Sequence, residues 1–242
     1  MPEARGMGLR RIGFWVAVLV ATGILGTAAV AAGFLDRKRS WVRHVAPLWS
    51  RILLWAGGVR VQVDRRPAAP AGSAPVFVSN HQSNLDVPVL SALLPHRVLW
   101  LAKKELFSIP VFGQAMRAVG YLPVDRGDRD AARRSIEAAA GQVREGAPVI
   151  LFPEGTRSPD GRLLPFKPGF VHLALASGAP VVPVVIRGTA ELWPKGSPWL
   201  GPGEVSVRFL EAVHLTPEDA GDPRAAAERV RRAMAEAGAG SA

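Results

Sequence analysis

His81 and Asp86 stand five positions apart in Asn80-His81-Gln82-Ser83-Asn84-Leu85-Asp86, directly after the apolar run Ala74 to Val78. The spacing suits a base and its orienter: an aspartate on one imidazole nitrogen fixes the tautomer and leaves the other nitrogen free to take a proton. With five histidines and nine aspartates in 242 residues, chance supplies roughly 0.2 such pairs, so context has to carry the claim. A second pair, His214 and Asp219, lies in Leu215-Thr216-Pro217-Glu218, has no cation nearby in the sequence, and reads as a capping turn with a solvated histidine. At the first pair, Pro88 suits the opening turn of a helix, which places Asp86 near its cap and His81 in the turn before it.

Two further charged clusters follow apolar runs. In Phe152-Pro153-Glu154-Gly155-Thr156-Arg157-Ser158, Gly155 permits close backbone approach and Arg157 can grip phosphate bidentately, so with Glu154 and Thr156 the segment suggests a nest for an anion. The other comprises Lys103-Lys104-Glu105-Leu106 and Gly120-Tyr121-Leu122-Pro123-Val124-Asp125-Arg126. Taken singly, each of these segments also fits a structural turn, a Glu-Arg surface pair or solvated cations. There is no Gly-x-Ser-x-Gly elbow, Walker glycine loop or His-Glu-x-x-His pair. Cysteine is absent, which excludes disulfides, thiolate catalysis and cysteine metal sites. His44, His96, His172 and His214 lack ligand spacing, so no metal is expected, and His172 within Val171-Leu173-Ala174-Leu175 reads as a packing histidine.

The elements that must position these residues can be read from periodicity. Runs rich in Val, Ile and Leu (74–78, 98–102, 148–152, 181–186 and 205–210) alternate with helical patterns, one from Asp128 to Gly146 and one starting at Asp222-Pro223. Alternation of this kind implies an α/β domain with a largely buried sheet, beginning near residue 61 and running to 242. Arg65 to Ala74 reads as a surface connection, and Ala237 to Ala242 as a frayed tail.

Residues 1–60 have another character, an N-terminal apolar and amphipathic two-helix membrane anchor. They hold nine Lys/Arg against Glu3 and Asp36, a net +7 out of the chain's +10. Ile12 to Leu35 is 24 residues without a charge, about 36 Å of helix against a hydrocarbon core of about 30 Å. That length argues for retention over cleavage after Ala29-Val30-Ala31. In Trp41 to Ala56 the residues Trp41, Val45, Leu48, Trp49, Ile52, Trp55 and Ala56 form one side, and Arg43, His44, Pro47, Ser50 and Arg51 the other. The segment is expected to lie in the headgroup region or to pack on the core. Basic flanks on both sides of the apolar run favour a hairpin with both ends cytoplasmic over a single span. The partner this implies is an anionic membrane surface and not nucleic acid.

In order, His-x4-Asp, Lys-Lys-Glu-Leu, Gly-x5-Arg, Phe-Pro-Glu-Gly-Thr-Arg-Ser and Val182-Pro183-Val184 resemble the glycerolipid acyltransferases, specifically the 1-acylglycerol-3-phosphate (lysophosphatidate) acyltransferases, from about Val76 to Gly188. The resemblance implies an αβ sandwich, association with the cytoplasmic (inner) membrane and an active site facing the cytoplasm. It also implies that His81, oriented by Asp86, takes the proton from the sn-2 hydroxyl of lysophosphatidate as that oxygen attacks an acyl thioester, acyl-CoA or acyl-carrier protein, making phosphatidic acid without a cofactor. Arg126, Glu154, Gly155, Thr156 and Arg157 match the acceptor-binding motifs, with Lys103 favoured over Lys104 as a further ligand. Rival readings are the same chemistry on another lyso-lipid or on glycerol 3-phosphate, a thioester hydrolase, and a non-catalytic lipid-binding protein.

Overall fold

Short runs of Val, Ile and Leu become strands at the centre of the sheet because both faces are covered there, so neither face needs polar residues. The computed structural model describes residues 2–35, 41–65 and 74–240. Its helices are α1 (Pro2–Leu35), α2 (Val45–Gly57), α3 (Asp86–Leu93), α4 (Phe112–Val119), α5 (Arg129–Arg144), α6 (Gly169–Ser177), α7 (Thr189–Leu192) and α8 (Pro223–Glu236). The strands are β1 (Val59–Arg65), β2 (Val76–Ser79), β3 (Leu99–Lys103), β4 (Leu122–Val124), β5 (Val149–Leu151), β6 (Val181–Arg187) and β7 (Gly203–Phe209). They form one sheet in the order β1-β7-β6-β2-β5-β3-β4. Every neighbouring pair is parallel except β6 with β7.

Side chains alternate across this sheet with period two. Phe77, Ile150 and Val182 are in register and point to the layer containing α1, α2 and α3. Val76, Val78, Val149 and Leu151 point to α5, α6 and α8 on the other side. The two aspartates expected to start helices do so: Asp128 accepts hydrogen bonds from Asp130 N and Ala131 N at 2.9 and 3.0 Å. Asp222 caps α8 in the same way, ahead of Pro223.

Two strands escape a search for apolar runs. β1 alternates Val59, Val61 and Val63 with Arg60, Gln62 and Asp64 at the sheet edge, where Arg60 pairs with Glu204 at 3.1 Å and Arg208 with Asp64. β4 is three residues at the other edge and contains Pro123, which only an edge tolerates easily.

The N-terminal helices share a core with the sheet, since Phe14, Ala21, Leu53 and Leu54 pack in one cluster with Phe77 and Ile186. α1 is unbroken and long and apolar enough to cross a membrane. It returns antiparallel through α2: Ala29 and Ala32 pack on Val42, while Trp49 Nε1 donates to Thr22 Oγ1 at 2.9 Å. Residues 12–35 thus contain no turn, and the antiparallel pairing is between α1 and α2. The outer stripe of α1, with Ile12, Val16, Leu19, Val20 and Ile24, is exposed.

Four expectations need correction. On α2, Ser50 of the expected polar side is buried together with Leu53, Leu54 and Gly57, because α2 packs on both α1 and α3 and the contact side falls between them, while Trp41, Leu48 and Trp55 of the expected apolar side are exposed. His172 is exposed: Val171, Leu173 and Ala174 take the buried side of α6 and leave position 172 outside. Residues 237–240 are docked, with Ala239 buried and Ala237 O accepting from Arg187 Nη2 at 2.7 Å. Residues 241 and 242 lie outside the described residues, as do 66–73 of the expected surface connection. Asp219 does form a capping box with Thr216 and His214 is exposed, but a cation absent from the local sequence arrives from α8, Arg229 at 3.0 Å.

Candidate active site

The carboxyl ends of parallel strands leave their loops on one edge of a sheet, and the charged clusters all meet there. β2 leads into Asn80-His81, β5 into Phe152 and β4 to Arg126, and β3 ends in Lys103. Asn80 ties the ends of two strands together: its amide donates to Ile186 O and its oxygen accepts from Ile186 N, both at 2.9 Å. The chain then turns, and α3 begins at Asp86 with Pro88 in its first turn.

That turn brings His81 Nδ1 to 2.8 Å from Asp86 Oδ2. The same oxygen accepts from Gln82 N at 2.7 Å and Ser83 N at 2.9 Å, so the fully buried carboxylate is held by the backbone that carries the histidine. An ionised carboxylate only accepts, which assigns the proton to Nδ1 and leaves Nε2 as the basic nitrogen. Ser83 Oγ donates to Trp193 O at 2.7 Å and anchors the turn to the segment before β7.

The segment after β5 supports His81 from the other side. Phe152 stacks on its imidazole with centroids 3.9 Å apart and planes at 7°. Glu154 Oε1 accepts from His81 N at 2.7 Å and Oε2 from Leu164 N at 3.0 Å, while Ser158 N donates to His81 O at 2.8 Å. Burial pushes the Glu154 carboxyl up to about 7, partly opposed by the two backbone donors. Both of its oxygens are thus directed at the protein's own backbone.

A cavity of about 520 Å³ opens at His81. Part of its wall is polar: Lys103, Arg126, Gly155, Thr156 and Arg157 join His81 there. Much of the rest comes from the helices, with Gly26 of α1, Trp49 of α2, and Phe112, Ala115 and Met116 of α4, and part from Trp100 of β3, Tyr121 and Phe152. Gly26 and Gly33 allow α1 to approach Val111 and Ala118 closely. Of the expected site residues, only Asp86 and Glu154 stand behind the wall, the first on the imidazole and the second on the His81 backbone. Lys103 lines the cavity, whereas Lys104 is turned to a salt bridge with Asp125, which holds that carboxyl below its usual range. Arg126 donates to Gly155 O, linking the β4 cluster to the β5 loop.

Motif spacing misses Phe152 as a partner of the imidazole, Asn80 as a clamp, and two cations. Lys167 lies against Gly155, and Lys195 donates to Arg157 O at 2.8 Å. Phe152 carries a usable signal, an aromatic residue at the end of a buried run. Lys195 carries none.

The arrangement combines a carboxylate-backed imidazole, cations at the rim and an apolar chamber. The chain is 37% identical over 205 residues to a chloroplastic 1-acyl-sn-glycerol-3-phosphate acyltransferase of Brassica napus, covering 84% of this chain and 58% of that protein. It is 36% identical over 181 residues to human 1-acyl-sn-glycerol-3-phosphate acyltransferase alpha, covering 73% and 63%, respectively. With the Cocos nucifera enzyme of the same name, identity is 35% over 164 residues, covering 67% of this chain and 53% of the relative. The chain thus spans a little over half the length of these curated relatives. The crystal structure of the 1-acyl-sn-glycerophosphate (LPA) acyltransferase PlsC from Thermotoga maritima superposes with a TM-score of 0.78 at 28% identity, covering 98% of this chain and 97% of that one. The family model described as Acyltransferase matches residues 60–187, the stretch from β1 to β6 that holds His81, Asp86 and the loops carrying Lys103, Arg126 and Arg157, and the chain belongs to that family.

Proposed function

We propose that this protein transfers an acyl chain from an acyl thioester, acyl-CoA or acyl-carrier protein, to the sn-2 hydroxyl of 1-acylglycerol 3-phosphate, forming phosphatidate. The observation that carries this reading is that the His81–Asp86 pair opens onto a cavity lined by cations near the strand ends and by apolar side chains from α1, α2 and α4. A phosphate and an acyl chain need those two environments side by side.

His81 Nε2 takes the hydroxyl proton as the oxygen attacks the thioester carbonyl, and Asp86 stabilises the imidazolium that forms. Collapse of the tetrahedral intermediate expels the thiolate, which recovers the proton from His81, so the products are the ester and a free thiol. The attack is direct and needs no acyl-enzyme. Arg126, Arg157 and Lys103 hold the acceptor phosphate, with Gly155 and Thr156 shaping its seat. Glu154 is a positioning residue, since its carboxylate fixes the His81 backbone.

Residues 1–60 serve as the anchor and 61–242 as the acyltransferase domain. The exposed stripe of α1 enters the cytoplasmic face of the inner membrane, where a lysophospholipid partitions. Contacts distributed along α1, from Phe14 against Trp193 to Gly33 against Ala118, favour a helix lying with the domain at the surface over one that leaves it to cross the bilayer.

The test is acceptor-dependent thiol release from acyl-CoA by the purified protein in detergent, wild type against His81→Ala; the cysteine-free chain adds no background thiol. Release that requires lysophosphatidate and disappears in the variant is expected. Thiol release that ignores the acceptor would instead indicate a hydrolase. No release with either thioester donor and any lyso-acceptor would point to a lipid-binding protein.

A further inference from the structure

Away from the cavity, a groove of about 300 Å³ runs between α2 and the end of α3, lined by His44, Pro47, Leu48, Arg51, Leu94 and His96. The imidazoles of His44 and His96 stack across it with centroids 4.4 Å apart and planes at 21°. Arg43 precedes one histidine and Arg97 follows the other. Among the described residues, no carboxylate pairs with Arg43, Arg51 or Arg97. Burial, His44, Arg97 and Arg43 together hold the His96 pKa below the ordinary histidine value, and no acidic group opposes them. The groove is therefore lined by Arg51 of α2, His44 of the turn before it and His96 of the loop after α3, with Arg43 and Arg97 beside the two histidines.

Two stacked imidazoles amid three guanidinium groups repel one another when protonated, so the assembly is stabilised by an anion. What surrounds it indicates the source. His44, Leu48, Arg51 and Trp55 follow a helical i, i+4, i+7, i+11 spacing, and all four are exposed, making an outward stripe that alternates cationic and apolar side chains. Leu48 and Trp55 suit the acyl boundary of a membrane, and the cations then sit at the depth of the headgroup phosphates. We propose that this groove binds the phosphate of an anionic membrane lipid through Arg51, His44 and His96, at a site separate from the catalytic cavity. The inference rests on the reading of α1 and α2 as the membrane-facing layer. Because a bound phosphate favours the imidazolium form that the neighbouring cations disfavour at His96, binding takes up a proton there and strengthens as pH falls.

The experiment is co-sedimentation of the full chain with phosphatidylcholine vesicles, with and without phosphatidylglycerol, at pH ~6 and ~7.5, bracketing the histidine range. Wild type is compared with Arg51→Gln, His44→Gln/His96→Gln and the triple variant. The expected result is that anionic lipid strengthens wild-type binding, more at the lower pH, and that Arg51→Gln weakens this gain about fivefold while keeping its pH dependence. The double histidine variant loses the pH dependence, and the triple variant retains only its binding to neutral vesicles. Thiol release in detergent by all three variants matches wild type, which shows that they are folded. An equal anionic gain in wild type and triple variant would overturn the site while leaving the anchor standing. Absence of the anionic gain in wild type, together with a rise in melting temperature on adding inorganic phosphate that the triple variant lacks, would reassign the groove to free phosphate and overturn the lipid. Failure of wild type to bind either vesicle would overturn the anchor and the site together.

Discussion

The turn that carries His81 and the helical layer that roofs the cavity are held by different forces. Around His81, directed hydrogen bonds dominate: Asp86 Oδ2 takes the imidazole and two backbone N–H groups, Glu154 takes two more, and Asn80 clamps β6. In the helical layer, contacts are mainly steric, through Gly26, Ala29 and Gly33 of α1 and the edge-on rings of Phe14, Trp15 and Trp193. Proton transfer needs a fixed direction and a narrow range of distance, which hydrogen bonds supply. An acyl chain needs only volume and an apolar lining, which tolerate sliding. Substitutions in the turn should therefore act on kcat, and those in the layer on chain preference.

The largest effect is expected at the imidazole. His81→Ala should lower kcat for acceptor-dependent thiol release by about 10²–10⁴-fold with little change in KM, and Asp86→Asn by about 10²-fold or more. A KM effect of similar size from either would break the contrast between the two regions.

Glu154 tests whether the turn depends on support from 73 residues away. Glu154→Ala leaves His81 N and Leu164 N without their acceptor, at about 1–3 kcal/mol for each group, and should lower both the melting temperature and kcat. The pH dependence follows from linkage. With its folded pKa raised from 4.5 to about 7, the folded state binds the proton more tightly than the unfolded chain does. Its contribution is full below the unfolded value and is lost as pH climbs through 7, a decline of order 3 kcal/mol. Glu154→Gln should flatten that slope in denaturation followed against pH.

Arg126→Ala and Arg157→Ala are expected to raise KM for lysophosphatidate by about tenfold or more each, with smaller changes for the thioester, since a charge-assisted hydrogen bond contributes about 1.5–3 kcal/mol. Steady-state kinetics with each substrate varied in turn checks this. The smallest effect belongs to the helical layer: Ala115→Leu should shift preference toward shorter acyl chains, by roughly fourfold per methylene excluded at about 0.8 kcal/mol, leaving kcat for the preferred chain near wild type. A general collapse of kcat there would mean that the roof also aligns the chemistry.

Much of this division is legible in the sequence. Strand runs at 74–78, 98–102, 148–152, 181–186 and 205–210 correspond to β2, β3, β5, β6 and β7: β2, β5 and β6 are buried on both faces and take apolar side chains throughout, whereas β7 alternates buried Val205, Val207 and Phe209 with exposed Ser206 and Arg208. Asp128 and Asp222 mark helix starts because a cap bonds within three residues. Periodicity misassigns the face of α2 for a related reason. It locates one apolar side, and a helix with neighbours on two sides and a membrane-like exposure on a third presents apolar residues to more than its core. His172 misleads because its neighbours are apolar, although the helical period carries it outward.

What the sequence by itself determined is what closes over a few residues: the His81–Asp86 turn with its backbone donors, the helix caps, and the apolar character of the strands and of α1. What only the tertiary structure decided is where separate segments meet. Phe152 on the imidazole, Glu154 on the His81 backbone, Asn80 on Ile186 and His44 on His96 all depend on strand order, register and helix placement. A contact within one turn is set by local backbone geometry, whereas a contact between distant segments is selected by the packing of the whole core.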